Sequence, residues 1–291
     1  MELRTLRVFV EVVRQGGFSQ AAHTVFITQS AVSKAVRQLE VELGLELIDR
    51  SSQRIRLTDA GEVVFGRAQT MLAQRADLLA ELEEMKGLKR GALRIGMPPI
   101  GSDILFAPLF AIYRSRYPDI EIKLVEHGSR RLEEMVQSGE VELGASLLPF
   151  AEVFDWQDVT SEPVDVLIRD DHPLADSASV SLRQLADIPF VLFDAGFALN
   201  PIILDACRSV GVEPTVTARS SQISFIVELV GAGVGIGFLP RRIAEHRIRP
   251  GVRQIPVTDT GMVWHMAWIW RRGGYLSFAA KAWLELAAEQ G

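Results

Sequence analysis

Apolar positions follow two different periods along the chain. Leu3, Leu6, Val10 and Val13 recur at helical spacing until Gly16 and Gly17 end the pattern, which predicts one amphipathic helix. Ser19 is placed to cap a short second helix over Gln20–Val25, and Thr28 a third that begins near Gln29 and ends before Gly44. On that third helix Val32, Val36, Leu39 and Leu43 share an arc of about 60°, while Gln29, Ser30, Ser33, Lys34 and Arg37 spread over a separate arc of about 140°. One face can pack and the other offers hydrogen-bond donors and positive charge. Leu47–Arg50 and Ile55–Leu57 then read as short strands around the polar tip Ser51, Ser52, Gln53 and Arg54.

Thr58 can cap a long helix whose positive end is favoured by Asp59 and Glu62, and no proline interrupts the pattern until about Leu88. Its ~30 residues span ~45 Å. Val64, Met71, Leu78 and Met85 repeat every seven residues, with Ala68, Arg75 and Leu82 beside them. A long helix can also pack in the core of its own chain, but no other helix of this length is present to receive that seam. It therefore predicts self-association through Val64, Ala68, Met71, Leu72, Leu78, Leu79 and Leu82.

From Ala92 onward the period changes to strands alternating with helices, an α/β pattern. Strands are predicted over 93–97, 120–126 and 143–148, with helices over Asp103–Arg116 and Ser129–Ser138. A second set follows over 190–193, 216–219 and 235–239, with helices over Leu199–Val210 and Gln222–Ala232. The chain then returns through a strand over 262–270 and a final helix, Ser277–Ala288.

Length fits this division, because 291 residues exceed one ordinary domain. The expected organisation is a head over 1–58, a linker helix over 59–90 and a receptor over 91–291. Its lobe I is expected over about 91–161 and 267–291, and its lobe II over about 162–266. Net charge is −6, from 31 basic and 37 acidic residues, which argues against an indiscriminate nucleic-acid binder. The distribution reverses that reading locally. Residues 1–58 hold eight basic and six acidic groups, leaving the remaining 233 residues at −8.

Two short helices joined by a tight turn, the second bearing Gln29, Ser33, Lys34 and Arg37, form a helix-turn-helix able to enter the major groove. Gln suits adenine, Arg and Lys suit guanine or phosphate, and Ser suits either. Such a face can equally meet only water. The basic hairpin behind it favours DNA, since Arg54 at its tip can reach the minor groove or backbone.

Phe18–Gly61 resembles the winged helix-turn-helix of LysR-type transcriptional regulators. The shared landmarks are Ala21-Ala22, Gln29-Ser30, Ser33, Leu39-Glu40, Leu43-Gly44, Arg50 and Leu57-Thr58 with Ala60-Gly61. Ser30 stands where that family commonly has Pro, and Lys34 where it commonly has Arg. Asp171-His172-Pro173-Leu174-Ala175 and Leu229–Pro240 are similar to landmarks of the family's effector domain, a two-lobed fold like that of periplasmic binding proteins. The resemblance implies a homotetrameric, cytoplasmic, effector-modulated regulator that contacts promoter DNA and, on activation, RNA polymerase. It places DNA contacts at Thr28, Gln29, Ser30, Ser33, Lys34, Arg37, Arg50, Ser52, Gln53 and Arg54. The stretch Gly96–Gly101 with Val125, Glu126, Gly128 and Ser129 is also similar to regulators of holin-like operons that respond to central carbon metabolism.

Ligands of open α/β sheets bind beyond the carboxyl ends of strands. Those ends supply Pro99, Ile100, Gly101 and Ser102, then Gly128, Ser129 and Arg130, then Ser146 and Leu147. The second set supplies Phe193, Asp194, Phe197, Ser221 and Gln222, with Trp264 near the crossover. Serines here can also be plain helix caps, and Phe197 plain core. Ser102, Ser129 and Arg130 suit a carboxylate and the aromatic rings an apolar body, so a small organic acid is expected, although Asp194 opposes a wholly anionic ligand.

An enzyme and a solute-binding protein are the competing classes. Gly231, Gly233, Gly235 and Gly237 match neither phosphate-binding glycine pattern, the five histidines lack metal-ligand spacing, and no cofactor is expected. The lone Cys207 excludes a thiol-pair peroxide sensor and reads as a buried structural residue. Charges scattered through the first residues exclude a secretory signal, and the 12-residue apolar run Leu229–Pro240 is too short to span a bilayer.

Overall fold

The computed structural model describes residues 1–49, 55–85 and 92–290, and folds them into two compact units. The first opens with α1 (Leu3–Arg14), α2 (Phe18–Thr24) and α3 (Gln29–Leu43). α2 starts two residues earlier than expected, with Gly17 rather than Ser19 at its N-cap. Thr28 caps α3 as its sequence position requires, its hydroxyl accepting from the Ala31 amide at 3.2 Å. Gly44, at φ 68°, ends α3 in the left-handed conformation that glycine adopts without a Cβ clash.

β1 (Ile48–Asp49) pairs antiparallel with β2 (Arg56–Leu57). Leu47 stays outside that ladder because its amide donates to the buried Glu40 carboxylate at 3.0 Å. Arg50, Ser51, Ser52, Gln53 and Arg54 lie outside the described residues. Thr58 links the hairpin to α4 (Asp59–Met85), donating to the Glu46 carbonyl at 2.7 Å and accepting from the Gly61 amide at 3.0 Å. Gly61 is required where α4 passes β1, since a Cβ there would sit 2.0 Å from the Leu47 carbonyl oxygen.

Leu6, Phe9, Val32, Val36, Leu39 and Leu47 form the core of this unit, and Val64, Phe65, Ala68 and Leu72 of α4 pack into it. The expected seven-residue seam therefore divides. Val64, Ala68 and Leu72 face α1 and the head core, whereas Met71, Leu78, Leu79 and Leu82 are exposed. The physical reason is axial: Leu79 and Leu82 lie on the same side of α4 as Val64, Ala68 and Leu72, but about two turns or more beyond Leu72, past the part of the helix that packs on the head core.

The second unit runs through β3 (Ala92–Met97), α5 (Ser102–Leu105), α6 (Ala107–Arg116), β4 (Glu121–Glu126), α7 (Ser129–Gln137) and β5 (Leu143–Leu147). The expected helix over 103–116 is two helices broken at Phe106, because Pro108, in the first turn of α6, has no amide to donate to the Ile104 carbonyl. β6 (Phe154–Arg169) follows, then a 3-10 turn (Leu182–Leu185), β7 (Phe190–Phe193), α8 (Leu199–Ser209), β8 (Val216–Ser220) and α9 (Ile223–Gly231). β9 (Gly237–Pro240), α10 (Arg241–Arg247), β10 (Val252–Ile255), β11 (Val263–Arg271) and α11 (Phe278–Gln290) complete the unit.

The main sheet has the order β10-β6-β11-β5-β3-β4, with β9 also paired to β6, and β7 pairs with β8 in parallel. β6 is the member that the sequence pattern does not reveal. Its residues Phe154–Pro163 pair with β11, and Val164–Arg169 pair with β9 and β10, so one strand belongs to both lobes. Trp268, Trp283, Tyr113 and Phe106 fill the first lobe's core, with the Trp268 and Trp283 rings 5.6 Å apart edge to face. In the second lobe Asp165 is 1% exposed and accepts from Arg241 at 2.8 and 2.9 Å and from Gln254 at 2.8 Å. This meets the requirement that a buried carboxylate be paired and hydrogen-bonded.

Candidate DNA-reading helix and effector cleft

α3 separates its two faces cleanly. Val32, Val36 and Leu39 are buried, while Gln29, Ser30, Lys34 and Arg37 are exposed and Ser33 is half-buried beside them. Thr28 is committed to the cap and its hydroxyl also lies 3.0 Å from that of Ser30. The side chains free of the helix's own backbone are thus Gln29, Ser33, Lys34 and Arg37, a set that presents amide, hydroxyl and cationic donors to one side.

In the second unit a small cleft is lined by Pro98, Ile100, Gly128, Ser129, Leu147, Phe197, Ala198, Leu199, Trp264 and Met266. It gathers six of the expected ligand residues: Ile100, Gly128, Ser129, Leu147, Phe197 and Trp264. The rest lie elsewhere. Gly101 packs beneath Trp264 and Ile243, and the Ser102 hydroxyl donates to the Pro98 carbonyl instead of facing the cleft. Arg130 is 91% exposed and points toward Glu134, because it lies one residue beyond the α7 position that faces inward. Ser146 is fully buried on the α7 side of β5, where strand alternation puts it opposite Leu147, and donates to Glu133 at 2.6 Å. Burial pushes the Glu133 carboxyl above the usual carboxylate range, partly offset by that hydrogen bond. Phe193 lies buried behind Phe197, their rings stacked 5.1 Å apart, and Pro99, Asp194, Ser221 and Gln222 are outside the lining.

Pro98, Ala198, Leu199 and Met266 are lining residues that sequence reasoning missed. Met266 was within reach of period-two logic, being two positions along β11 from Trp264. The loop carrying Phe197 and Ala198 is fixed by the buried Asn200, whose amide donates to the Phe193 and Asp194 carbonyls at 2.9 Å and whose Oδ1 accepts from the Phe193 amide at 3.2 Å. Across the cleft Gly128 meets Gly196 so closely that a Cβ would stand 2.5 Å from the Gly196 carbonyl oxygen. Among the described residues no charged side chain lines the cleft. Its walls are apolar, and the polar groups on offer are the Ser129 hydroxyl and the amides at the start of α7.

Burial pushes the Cys207 thiol up to about 11, which keeps it protonated and unreactive. Among the described residues no three His, Cys, Asp or Glu side chains gather to hold a metal, and no helix is long and apolar enough to cross a membrane.

A helix-turn-helix with a donor-rich outer face, followed by a long helix and a two-lobed α/β unit with a cleft, defines a ligand-modulated DNA-binding regulator. The chain belongs to the LysR family of bacterial transcriptional regulators. Residues 3–62 match the bacterial regulatory helix-turn-helix of the lysR family, and residues 86–291 match the LysR substrate binding domain. The chain is 37% identical to the HTH-type transcriptional regulator YwbI of Bacillus subtilis, covering 98% of this chain and 95% of that one. It is 32% identical to the HTH-type transcriptional regulator BudR of Raoultella terrigena, over 94% and 95% of the two chains. Full-length OxyR of Pseudomonas aeruginosa superposes with a TM-score of 0.65 at 27% identity, over 99% of this chain and 94% of that one. These relatives are named as regulators rather than enzymes, in agreement with the sequence reading.

Proposed function

We propose that this regulator reads its promoter with Gln29, Ser33, Lys34 and Arg37, positioned by Thr28 and Ser30, and that Arg50, Ser52, Gln53 and Arg54 of the wing add backbone and minor-groove contacts. The observation that carries this reading is the division of α3 into a buried apolar stripe and an exposed donor face. The protein works in the cytoplasm as a homotetramer, and on activation it contacts RNA polymerase. Met71, Leu78, Leu79 and Leu82 support the self-association, since these large apolar side chains stand exposed on one long helix. Leu78→Arg with Leu82→Arg is expected to dissociate the paired heads, seen as a drop in sedimenting mass. Promoter affinity should fall by about 10²- to 10⁴-fold as the second head's effective concentration is lost. An unchanged mass would reject this surface.

The effector is a small organic acid with an apolar body. Its carboxylate accepts from Ser129 and the first amides of α7, and its body lies against Ile100, Phe197, Trp264 and Met266. Binding favours one arrangement of the lobes, and this alters how the heads engage DNA. Thermal-shift screening of small monocarboxylates is expected to raise the unfolding midpoint, with stabilisation of about 2.7 kcal/mol at a hundredfold excess over Kd. Stabilisation by amines but not by carboxylates would overturn the assignment.

A further inference from the structure

Phe26 stands in the turn between α2 and α3 and is the only non-glycine residue with a left-handed backbone among those described, at φ 55°. It is also the most exposed large apolar side chain among them, at 92%. The end of α2 is closed by the Ile27 amide donating to the Ala22 carbonyl at 3.1 Å and the Phe26 amide donating to the His23 carbonyl at 3.4 Å. Glycine or asparagine ordinarily fills that position, because a Cβ is strained there. Val25 and Ile27 on either side pack into the head core, and Phe26 does not. The local fold therefore makes no use of the ring, and its backbone would be better served without it.

Position along the chain gives the ring a partner. Phe26 lies three residues before Gln29, at the end of α3 that leads into the major groove when such a motif docks. Its exposed neighbours along the chain, His23, Thr24, Thr28 and Gln29, are polar, and one ring falls far short of the area a protein partner needs. Apolar side chains at a groove edge do have a target of matching size, the thymine methyl group. Resting on the assignment of α3 as the DNA-reading helix, we propose that Phe26 is a specificity-determining residue whose ring packs against a thymine methyl of the operator.

The test uses the full-length chain and an operator defined by footprinting on DNA beside its own gene, with uracil replacing thymine one position at a time. Phe26→Gly is expected to bind the operator roughly tenfold more weakly. Its salt slope should stay unchanged because no phosphate contact is lost, and its thermal midpoint should not fall. One uracil position should weaken the native chain roughly fourfold, the effect of one buried methyl, and leave Phe26→Gly unaffected. Native affinity in Phe26→Gly, or equal uracil effects in both proteins, would overturn the proposal. So would a loss of affinity accompanied by a lower midpoint or a smaller oligomer, which would make Phe26 a packing or subunit contact. Gln29→Ala, measured on the same DNA, separates the two ideas. If it loses affinity while Phe26→Gly does not, this inference fails alone; if it binds normally, the reading of α3 fails and this inference with it.

Discussion

Replacing Gln29, Ser33 and Arg37 together with alanine is expected to abolish specific promoter binding, lowering affinity at least about a hundredfold. Each base contact of this kind is worth about 1–3 kcal/mol, and a paired head loses all of them twice over. The fold should tolerate the change. Gln29 and Arg37 are exposed, Ser33 is half-buried, and alanine is the strongest helix former, so stability should shift by no more than about 0.5 kcal/mol. A gel-shift titration against competitor DNA reads the loss, and circular dichroism reads the fold. Wild-type affinity in a folded triple variant would exclude α3 as the reading helix. A steep salt dependence in whatever weak binding survives would identify it as phosphate attraction alone.

Gly128→Val should abolish the effector response while sparing DNA binding. A Cβ at this position would stand 2.5 Å from the Gly196 carbonyl oxygen and 3.3 Å from its carbon. Backbone atoms cannot rotate away as a flexible side chain can, so the loops of the two lobes must separate. Effector groups on opposite walls, Ser129 on one side and Phe197 on the other, would then no longer reach the same molecule. The cost to stability should be about 1–3 kcal/mol, and promoter binding at the head should persist. A reporter titration with effector provides the measurement, and a wild-type dose response would show that this close approach has no part in signalling.

Legibility in the sequence depends on how local each determinant is. Thr28, Gly44 and the apolar stripe of Val32, Val36 and Leu39 act within a few residues, so the two faces of α3 can be read from the residues alone. Pro108 is equally local, yet the helical pattern over 103–116 does not by itself mark the break at Phe106. β6 leaves no comparable trace. Its 16 residues change partners midway, and every partner lies 70 or more residues downstream. Its burial therefore follows those partners rather than a simple alternation of its own.

The cleft shows the same limit at the level of single side chains. Strand ends point to these loops, and six of the fifteen residues expected from them line the cavity. Which way each side chain turns is settled by long-range packing. Ser146 and Leu147 are adjacent on one strand, but the pleat sends Leu147 to the cavity and Ser146 to Glu133 beneath α7. Arg130 turns outward for the same kind of reason, which removes the one cation expected to hold a carboxylate.

By itself the sequence determined the family, the order of helix-turn-helix head, long helix and α/β unit, and the two faces of α3, because caps, periodicity and glycine stops encode these over short stretches of chain. Tertiary structure alone decided how α4 divides between the head core and an exposed apolar surface, that one strand serves both lobes, and that the cleft is apolar and pinched at Gly128 and Gly196. Those features depend on residues far apart in the chain meeting in space, and no local pattern specifies such a meeting.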